Sequence, residues 1–163
     1  MKPIDKYFAN EWQTTEADPH VVELVKKANS VLDIGCGHNQ YKQYCEGYFW
    51  GIDPYNKKAD EQVCLFDFTA HHNYDLIICY GVLHFYDIKW VDTGMKRVVN
   101  LLGSSGRIAM KVNPGLPNYD GSMLNWFDKW TTHLVNHYAE IYNLTVENYR
   151  VGERGRIKWD YVK

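Results

Sequence analysis

Residues 31–40 read VLDIGCGHNQ, and this stretch decides the fold class. Apolar residues lead into Asp33, and Gly35 and Gly37 follow with one residue between them. A buried strand that runs into a glycine turn is a common approach to a nucleotide, because glycine lets the backbone come close to the ligand. A dinucleotide fingerprint would place a third glycine at position 40, where this chain has Gln40. Since Asp33 would repel a phosphate, we expect a ligand that brings positive charge or strong hydrogen-bond donors.

The composition favours one globular domain over residues 1–163. The hydrophobic fraction is 45% and the formal net charge is −2, so nothing points to nucleic acid or an anionic membrane as a partner. No apolar run is long enough to span a membrane, and the N-terminus is too polar for a signal peptide, which predicts a cytoplasmic protein. The four cysteines show no metal-ligand spacing, so we expect reduced thiols and no metal site.

Strand-like and helical patterns alternate along the chain. Strands are predicted at 30–35, 48–54, 62–68, 74–81, 106–112, 144–151 and 156–163. Helices are predicted after Asp18-Pro19, at 39–47, along Val91 to Leu102 and along Phe127 to Tyr138. This alternation predicts an α/β fold: a Rossmann-like, open, mostly parallel sheet with helices on both faces and a C-terminal antiparallel hairpin, forming a three-layer sandwich.

Ligands of such sheets bind beyond the carboxyl ends of the strands. Asp33, Asp53, Asp67 and Tyr80 lie at four predicted strand ends. S-adenosylmethionine fits this edge, because it carries a sulfonium and an ammonium and has no phosphate. We expect Asp53 to accept both ribose hydroxyls, and Asp67 to accept the adenine amino group beside the ring of Phe68.

From Val31 to Val112, the chain resembles the class I S-adenosylmethionine-dependent methyltransferases. The matching pieces are VLDIGCG (31–37), GIDP (51–54), FDF (66–68) and YDLIICYGVLHFY (74–86), the last being similar to enzymes that methylate small molecules. The resemblance implies that the cofactor S-adenosylmethionine contacts Asp33, Gly35, Cys36, Gly37, Asp53, Pro54, Asp67, Phe68 and Tyr80.

The chain departs from the family pattern at two places. YNKKADE (55–61) leaves no room for more than one helical turn between the second and third predicted strands. Asn39 replaces the usual third glycine, and we expect it to cap the helix that follows.

Methyl transfer is an in-line displacement, for which alignment can supply much of the rate. Two residues near the end of the fourth predicted strand are candidates for catalysis. His84 could act as a base with a pKa near neutrality, or it could pack beneath the cofactor. Tyr80 lies where the methyl group would emerge and could instead line the cofactor pocket. Lys111 and Asn113 could face an acceptor.

The acceptor, a small molecule or an exposed group of a larger one, is not specified by the sequence. Residues 1–17 are expected either to close over the cofactor as a lid or to pack on the sheet. Arg150, Arg154, Arg156 and Lys158 are interpreted as a solvated hairpin, because Glu147, Glu153 and Asp160 dilute their charge. Two other functions stay open. The first is a protein that binds S-adenosylmethionine without transferring its methyl group, either a partner subunit or a cofactor-cleaving enzyme. The second is a nicotinamide-dependent oxidoreductase, against which Asp33 and Gln40 argue.

Overall fold

The computed structural model describes residues 16–116 and 127–163. Its helices are α1 (Pro19–Lys27), α2 (Ile88–Leu101) and α3 (Thr132–Tyr142), with short 3₁₀ turns at Lys42–Tyr44 and Glu153–Gly155. Its strands are β1 (Ser30–Ile34), β2 (Tyr48–Ile52), β3 (Tyr74–Tyr80), β4 (Leu102–Val112), β5 (Thr145–Val151) and β6 (Ile157–Val162). None of the described helices is both long and apolar enough to cross a membrane. Apart from Glu16 and Ala17, the segment predicted as a lid lies outside the described residues.

The strands form one sheet in the order β2-β1-β3-β4-β6-β5. Strands β2, β1, β3 and β4 are parallel, and β6 and β5 close the sheet as an antiparallel hairpin. Helix α1 packs Val21 and Val25 on one face of the sheet, whereas α2 and α3 pack on the other face. The predicted α/β fold with helices on both faces and a C-terminal hairpin is confirmed.

The start of α1 follows from two adjacent residues. The side chain of Asp18 accepts a hydrogen bond from the backbone N–H of His20, and Pro19 occupies the first helical position. This cap was predicted from the sequence, and it fixes the helix start beside the hairpin.

The predicted strand at 62–68 is wrong. Within residues 16–116 and 127–163, only one isolated bridge, between Ile52 and Glu61, continues the sheet beyond β2. Leu65 and Phe68, three residues apart, are both buried, as in a turn rather than an alternating strand. The guanidinium of Arg97 on α2 donates hydrogen bonds to the carbonyl oxygens of Leu65 and Phe68, which a strand would have paired with a neighbour. The segment is therefore a loop fixed to α2.

Two helix boundaries also differ from the predictions. The helix predicted at 39–47 is reduced to the single turn Lys42–Tyr44, and Asn39 does not cap it. Asn39 instead has φ = 60° and donates hydrogen bonds to Asp60 and to the carbonyl of Lys58. Helix α3 begins only at Thr132, because the side chain of Thr131 caps it.

Candidate functional site

A cavity of about 240 Å³ lies beyond the carboxyl ends of β1, β2 and β3. Its walls are mainly apolar and include Ile34, Val63, Phe66, Phe85 and Trp90. Ligand sites for whole small molecules usually measure about 300–1,000 Å³. The cavity therefore suits one part of a larger ligand, such as a nucleoside, while the remainder lies outside it.

Two glycine turns form the rim of this cavity. Gly35, after β1, has φ = +66°, and a Cβ atom there would come within 2.7 Å of Cγ2 of Val82. Gly81, after β3, has φ = +75°. Both turns need the left-handed backbone that glycine adopts readily, and the first also needs the absent side chain.

The carboxylate of Asp53 lies in the cavity wall and is almost completely buried. Its Oδ2 accepts the backbone N–H of Gly37 at 3.1 Å, and its Oδ1 accepts those of Tyr55 and Asn56 at 2.8 and 2.9 Å. A carboxylate has about four acceptor sites, so this arrangement leaves one, on Oδ2. Asp53 thus joins the turn after β1 to the turn after β2 and retains capacity for one hydroxyl donor. The predicted grip on two ribose hydroxyls stays a prediction.

Asp33 is buried on the α1 face of the sheet with only 3% of its surface exposed. Its Oδ2 has no hydrogen-bond partner in the described part of the chain. Burial, and secondarily the nearby charge of Asp53, raises the pKa of Asp33 well above its usual value. A buried acceptor of this kind is unfavourable unless a donor or a cation reaches it, which suits a positively charged ligand.

The remaining residues predicted to contact a cofactor are divided among the cavity, the core and the surface. Pro54 lines the cavity. Cys36 is buried beneath the glycine turn, and burial raises the pKa of its thiol, which is therefore neutral. Asp67 is exposed and accepts a hydrogen bond from Sγ of Cys64 at 2.9 Å. Phe68 lies in the core and does not line the cavity.

The aromatic residues that line the cavity are Tyr55, Phe66, Phe85, Tyr86 and Trp90. Phe66 takes the position that the sequence analysis gave to Phe68, since the loop turns the neighbouring ring into the core. Phe66 and Trp90 contact edge to face, with ring centroids 5.4 Å apart. The FDF motif signals an aromatic residue here, but only the turn at 64–68 decides which one.

Tyr80 lies on the α1 face of the sheet, outside the cavity lining. Its hydroxyl donates to Oδ2 of Asp18 at 3.2 Å, and burial raises the pKa of the phenol. The structure therefore places Tyr80 beside the cavity, as a neutral hydroxyl fixed to the cap of α1.

His84 is buried, with 5% of its surface exposed. Its Nδ1 accepts the backbone N–H of Asn113 at 2.7 Å, so the ring proton resides on Nε2. Burial, followed by the positive charges of Arg156 and Lys111, lowers the pKa of His84 to about 3. The expectation of a base that titrates near neutrality is therefore wrong, because the ring is desolvated and its acceptor nitrogen is already in use.

The chain matches no protein-family model and no curated protein sequence. It does match solved structures. The 1,6-didemethyltoxoflavin-N1-methyltransferase of Burkholderia thailandensis, with bound 1,6-didemethyltoxoflavin and S-adenosylhomocysteine, is 15% identical with a TM-score of 0.73 over 98% of this chain and 85% of that chain. The N-methyltransferase NodS of Bradyrhizobium japonicum WM9, in complex with S-adenosylhomocysteine, is 13% identical with a TM-score of 0.67 over 98% and 96%. Magnesium protoporphyrin IX methyltransferase of Synechocystis PCC 6803, with bound S-adenosylmethionine, is 11% identical with a TM-score of 0.68 over 98% and 95%.

These similarities, together with the strand order and the glycine turns, define the class of the fold. The chain has the fold of the class I S-adenosylmethionine-dependent methyltransferases.

Proposed function

We propose that the protein is an S-adenosylmethionine-dependent methyltransferase that moves a methyl group to a small-molecule acceptor by in-line displacement. The observation that carries this proposal is the buried carboxylate of Asp33, whose Oδ2 has no partner in the described residues and which lies beside a glycine turn at an apolar cavity. A nucleotide with phosphates would be repelled there, whereas a ligand with a cationic amino-acid end would be attracted.

The residues at the site fit S-adenosylmethionine in three parts. Asp33 would hold the positive charge of the methionine end, and the remaining acceptor site of Asp53 would take a ribose hydroxyl. Phe66 and Trp90 would contact the adenine in the apolar cavity, whose volume suits a nucleoside. When bound, the cofactor supplies a methyl group already activated by the sulfonium.

The protein's own part in such a reaction is alignment. The glycine turns bring the backbone of β1 and β3 close to the ligand. The Asp53 carboxylate fixes the turn after β1 to the turn after β2. His84 stays neutral and holds the backbone of Asn113 beneath the site rather than removing a proton. Positioning of this kind can contribute about 7–11 kcal/mol to lowering a barrier.

Calorimetric titration tests the cofactor assignment. We expect S-adenosylmethionine and S-adenosylhomocysteine to bind and NAD to show no binding, because NAD would bring its pyrophosphate to Asp33. Binding of NAD with no binding of S-adenosylmethionine would refute the proposal and favour the oxidoreductase.

A second experiment separates transfer from binding alone. A cofactor-binding protein without transferase activity is the other candidate, and it is favoured by the observation that His84 is unsuited to act as a base. The protein is incubated with labelled S-adenosylmethionine, without and with cell extract, and a mass-resolved search identifies methylated products. We expect S-adenosylhomocysteine and one methylated small molecule only when extract is present. Breakdown of the cofactor without extract would instead identify a cofactor-cleaving enzyme.

A further inference from the structure

A row of positive charges crosses the sheet next to the proposed cofactor site. In the strand register, Tyr80 of β3 pairs with Lys111 of β4, Lys111 with Lys158 of β6, and Lys158 with Arg150 of β5. Residues paired in register point to the same face of a sheet. Lys111, Lys158 and Arg150, hereafter the cation row, therefore lie with Tyr80 on the α1 face.

One carboxylate serves this row among the described residues. Oδ2 of Asp18 lies 2.8 Å from Nζ of Lys158 and 3.6 Å from Nη2 of Arg150. The same oxygen accepts the hydroxyl of Tyr80, and Oδ1 is used by the cap of α1. Oδ2 of Asp18 thus serves two cations and a hydroxyl, and in the described residues no hydrogen bond or ion pair joins Asp18 to Lys111.

Two acids of the hairpin do not neutralise the row. Arg107 binds both of them, at 2.8 Å from Asp160 and 2.7 Å from Glu147. His20 also contacts Asp160 at 2.8 Å. Glu147 and Asp160, which the sequence analysis expected to dilute the basic cluster, thus form their ion pairs with Arg107 and His20 rather than with the cation row.

Lys111 is the member of the row that lacks an anionic partner. In the described part of the chain its ammonium has no hydrogen bond or ion pair, and its Nζ lies 5.6 Å from the centroid of the Tyr80 ring. Burial, and then repulsion from Lys158, lowers the pKa of Lys111. Like charges directly opposite each other on neighbouring strands destabilise a sheet, so an anion between Lys111 and Lys158 would relieve the repulsion.

The cation row lies next to the proposed cofactor site on the same face of the sheet as Asp33. Asp33 of β1 pairs with Ile78 of β3, two residues before Tyr80 and on the same face. Moving across the sheet from β1, the order is Asp33, then Tyr80, then Lys111 and Lys158. A cofactor that spans the ends of β2, β1 and β3 would therefore have the cation row on its β4 side.

We infer that the methyl acceptor is an anion, and that a carboxylate or phosphate group on it binds between Lys111 and Lys158. This inference rests on the proposed function and specifies its substrate class. A lysine ammonium is a compact charge with three donors and serves either group. The anionic group would anchor the acceptor over β4 and β6, and the atom that receives the methyl group would lie toward β3.

Anion binding is tested directly on the protein saturated with S-adenosylhomocysteine. Its melting temperature is measured with sodium phosphate, sodium acetate or sodium chloride at equal ionic strength and pH 7. We expect phosphate or acetate to stabilise the parent more than chloride does, and Lys111→Met to weaken that anion's affinity at least about tenfold, the effect of losing one charged hydrogen bond. A response to phosphate alone identifies a phosphate group, and a response to acetate alone identifies a carboxylate.

Two further variants keep the result interpretable. Lys96→Met removes an exposed lysine of α2, on the opposite face of the sheet, and should respond like the parent. Lys111→Gln keeps a polar end and should lose the anion response like Lys111→Met. The inference would be overturned if the parent showed no anion-specific response, or if both Lys111 variants responded to the anion as strongly as the parent.

The acceptor itself gives a second readout. Cell extract is separated on an anion exchanger before the labelled assay, and acceptor activity is expected in the fraction eluted by salt. Activity in the flow-through would overturn the inference. Failure of the parent to bind S-adenosylmethionine would refute the proposed function, whereas binding without an anion response would refute only this inference.

Discussion

Replacing Asp33 with asparagine should separate the effect of its charge on folding from its effect on ligand binding. The substitution keeps the shape of the side chain and removes the buried negative charge. In the ligand-free protein, burial raises the pKa of Asp33, so the folded state holds this proton more tightly than the unfolded state. The carboxyl therefore reduces stability as the pH rises above its unfolded value of about 3.9 toward its folded value. We expect Asp33→Asn to raise the melting temperature at pH 8 and to lose this advantage as the pH falls toward about 4.

Ligand binding should change in the opposite direction. A hydrogen bond to a charged group contributes about 1.5–3 kcal/mol, which corresponds to a loss of roughly 10- to 150-fold in affinity for S-adenosylmethionine. At a concentration about 100 times the parent's Kd, the ligand stabilises the parent by about 2.7 kcal/mol. At the same concentration, a variant weakened about 100-fold would gain only about 0.4 kcal/mol. For a chain of this size, these values correspond to shifts of roughly 5–11 °C and 1–2 °C.

The assay is a thermal melt of parent and variant, each without and with S-adenosylmethionine and 5′-methylthioadenosine. The second ligand keeps the nucleoside but lacks both the sulfonium charge and the amino-acid end, so its affinity should be nearly unchanged by Asp33→Asn. Equal losses for both ligands would refute the reasoning, because Asp33 would then support the turn rather than the ligand's charge. If the Asp33→Asn variant without ligand melted at a lower temperature than the parent at pH 8, the predicted gain in stability would be refuted.

Three further predictions address the rest of the site. Asp53→Ala should weaken the binding of S-adenosylmethionine by around 2–3 kcal/mol, measured by calorimetry. It should also lower the melting temperature, because the backbone N–H of Gly37 loses its acceptor. An affinity within twofold of the parent's would show that Asp53 does not hold the ligand. Phe66→Ala should lower the affinity for the cofactor with little change in the free energy of unfolding measured in urea. Phe68→Ala should instead lower that free energy by about 3–5 kcal/mol. The reverse pattern would mean that Phe68, not Phe66, lines the cavity. For His84, a folded pKa of about 3 against an ordinary 6.5 means that the unfolded chain takes up a proton first as the pH falls between these values. The free energy of unfolding should then decrease by up to about 1.4 kcal/mol per pH unit in this window. His84→Gln should reduce that slope and leave the shape of the pH–rate profile unchanged. An unaltered slope, or the loss of an ionisation near pH 6 to 7 from the rate profile, would contradict a buried neutral ring.

The parts of the fold that were predictable from sequence are those whose local pattern agrees with their tertiary environment. β3 is apolar at nearly every position because it is covered on both faces, and α1 carries its own cap at Asp18. The segment 62–68 has the composition of a strand, but Arg97, which is 29 residues beyond Phe68, satisfies its carbonyl groups. That interaction is not encoded near the segment, so no local pattern could reveal it.

The candidate site, like the fold, was predictable from sequence only in part. The carboxylates at the ends of β1 and β2 were identified because strand ends in a parallel sheet lie at one edge. The state of His84 was missed, since its pKa depends on burial and on Arg156 and Lys111 from other elements. One turn of the backbone decides which phenylalanine of the FDF motif lines the cavity, and the motif itself does not specify that turn.

The loop at 62–68 has a consequence for how order spreads through the molecule. Its backbone is held to α2 by the guanidinium of Arg97, and the isolated bridge to β2 lies just before it at Glu61. Its residues Val63, Cys64, Leu65 and Phe66 line the cavity. Local opening of such a segment requires far less free energy than opening of the paired strands, so its amide hydrogens should exchange with solvent earlier than those of β1 and β3. A nucleoside in the cavity would contact the loop on one side and the sheet on the other, and would thereby slow exchange along the loop. Hydrogen exchange in this segment would then report cofactor occupancy even before a methyl acceptor is known.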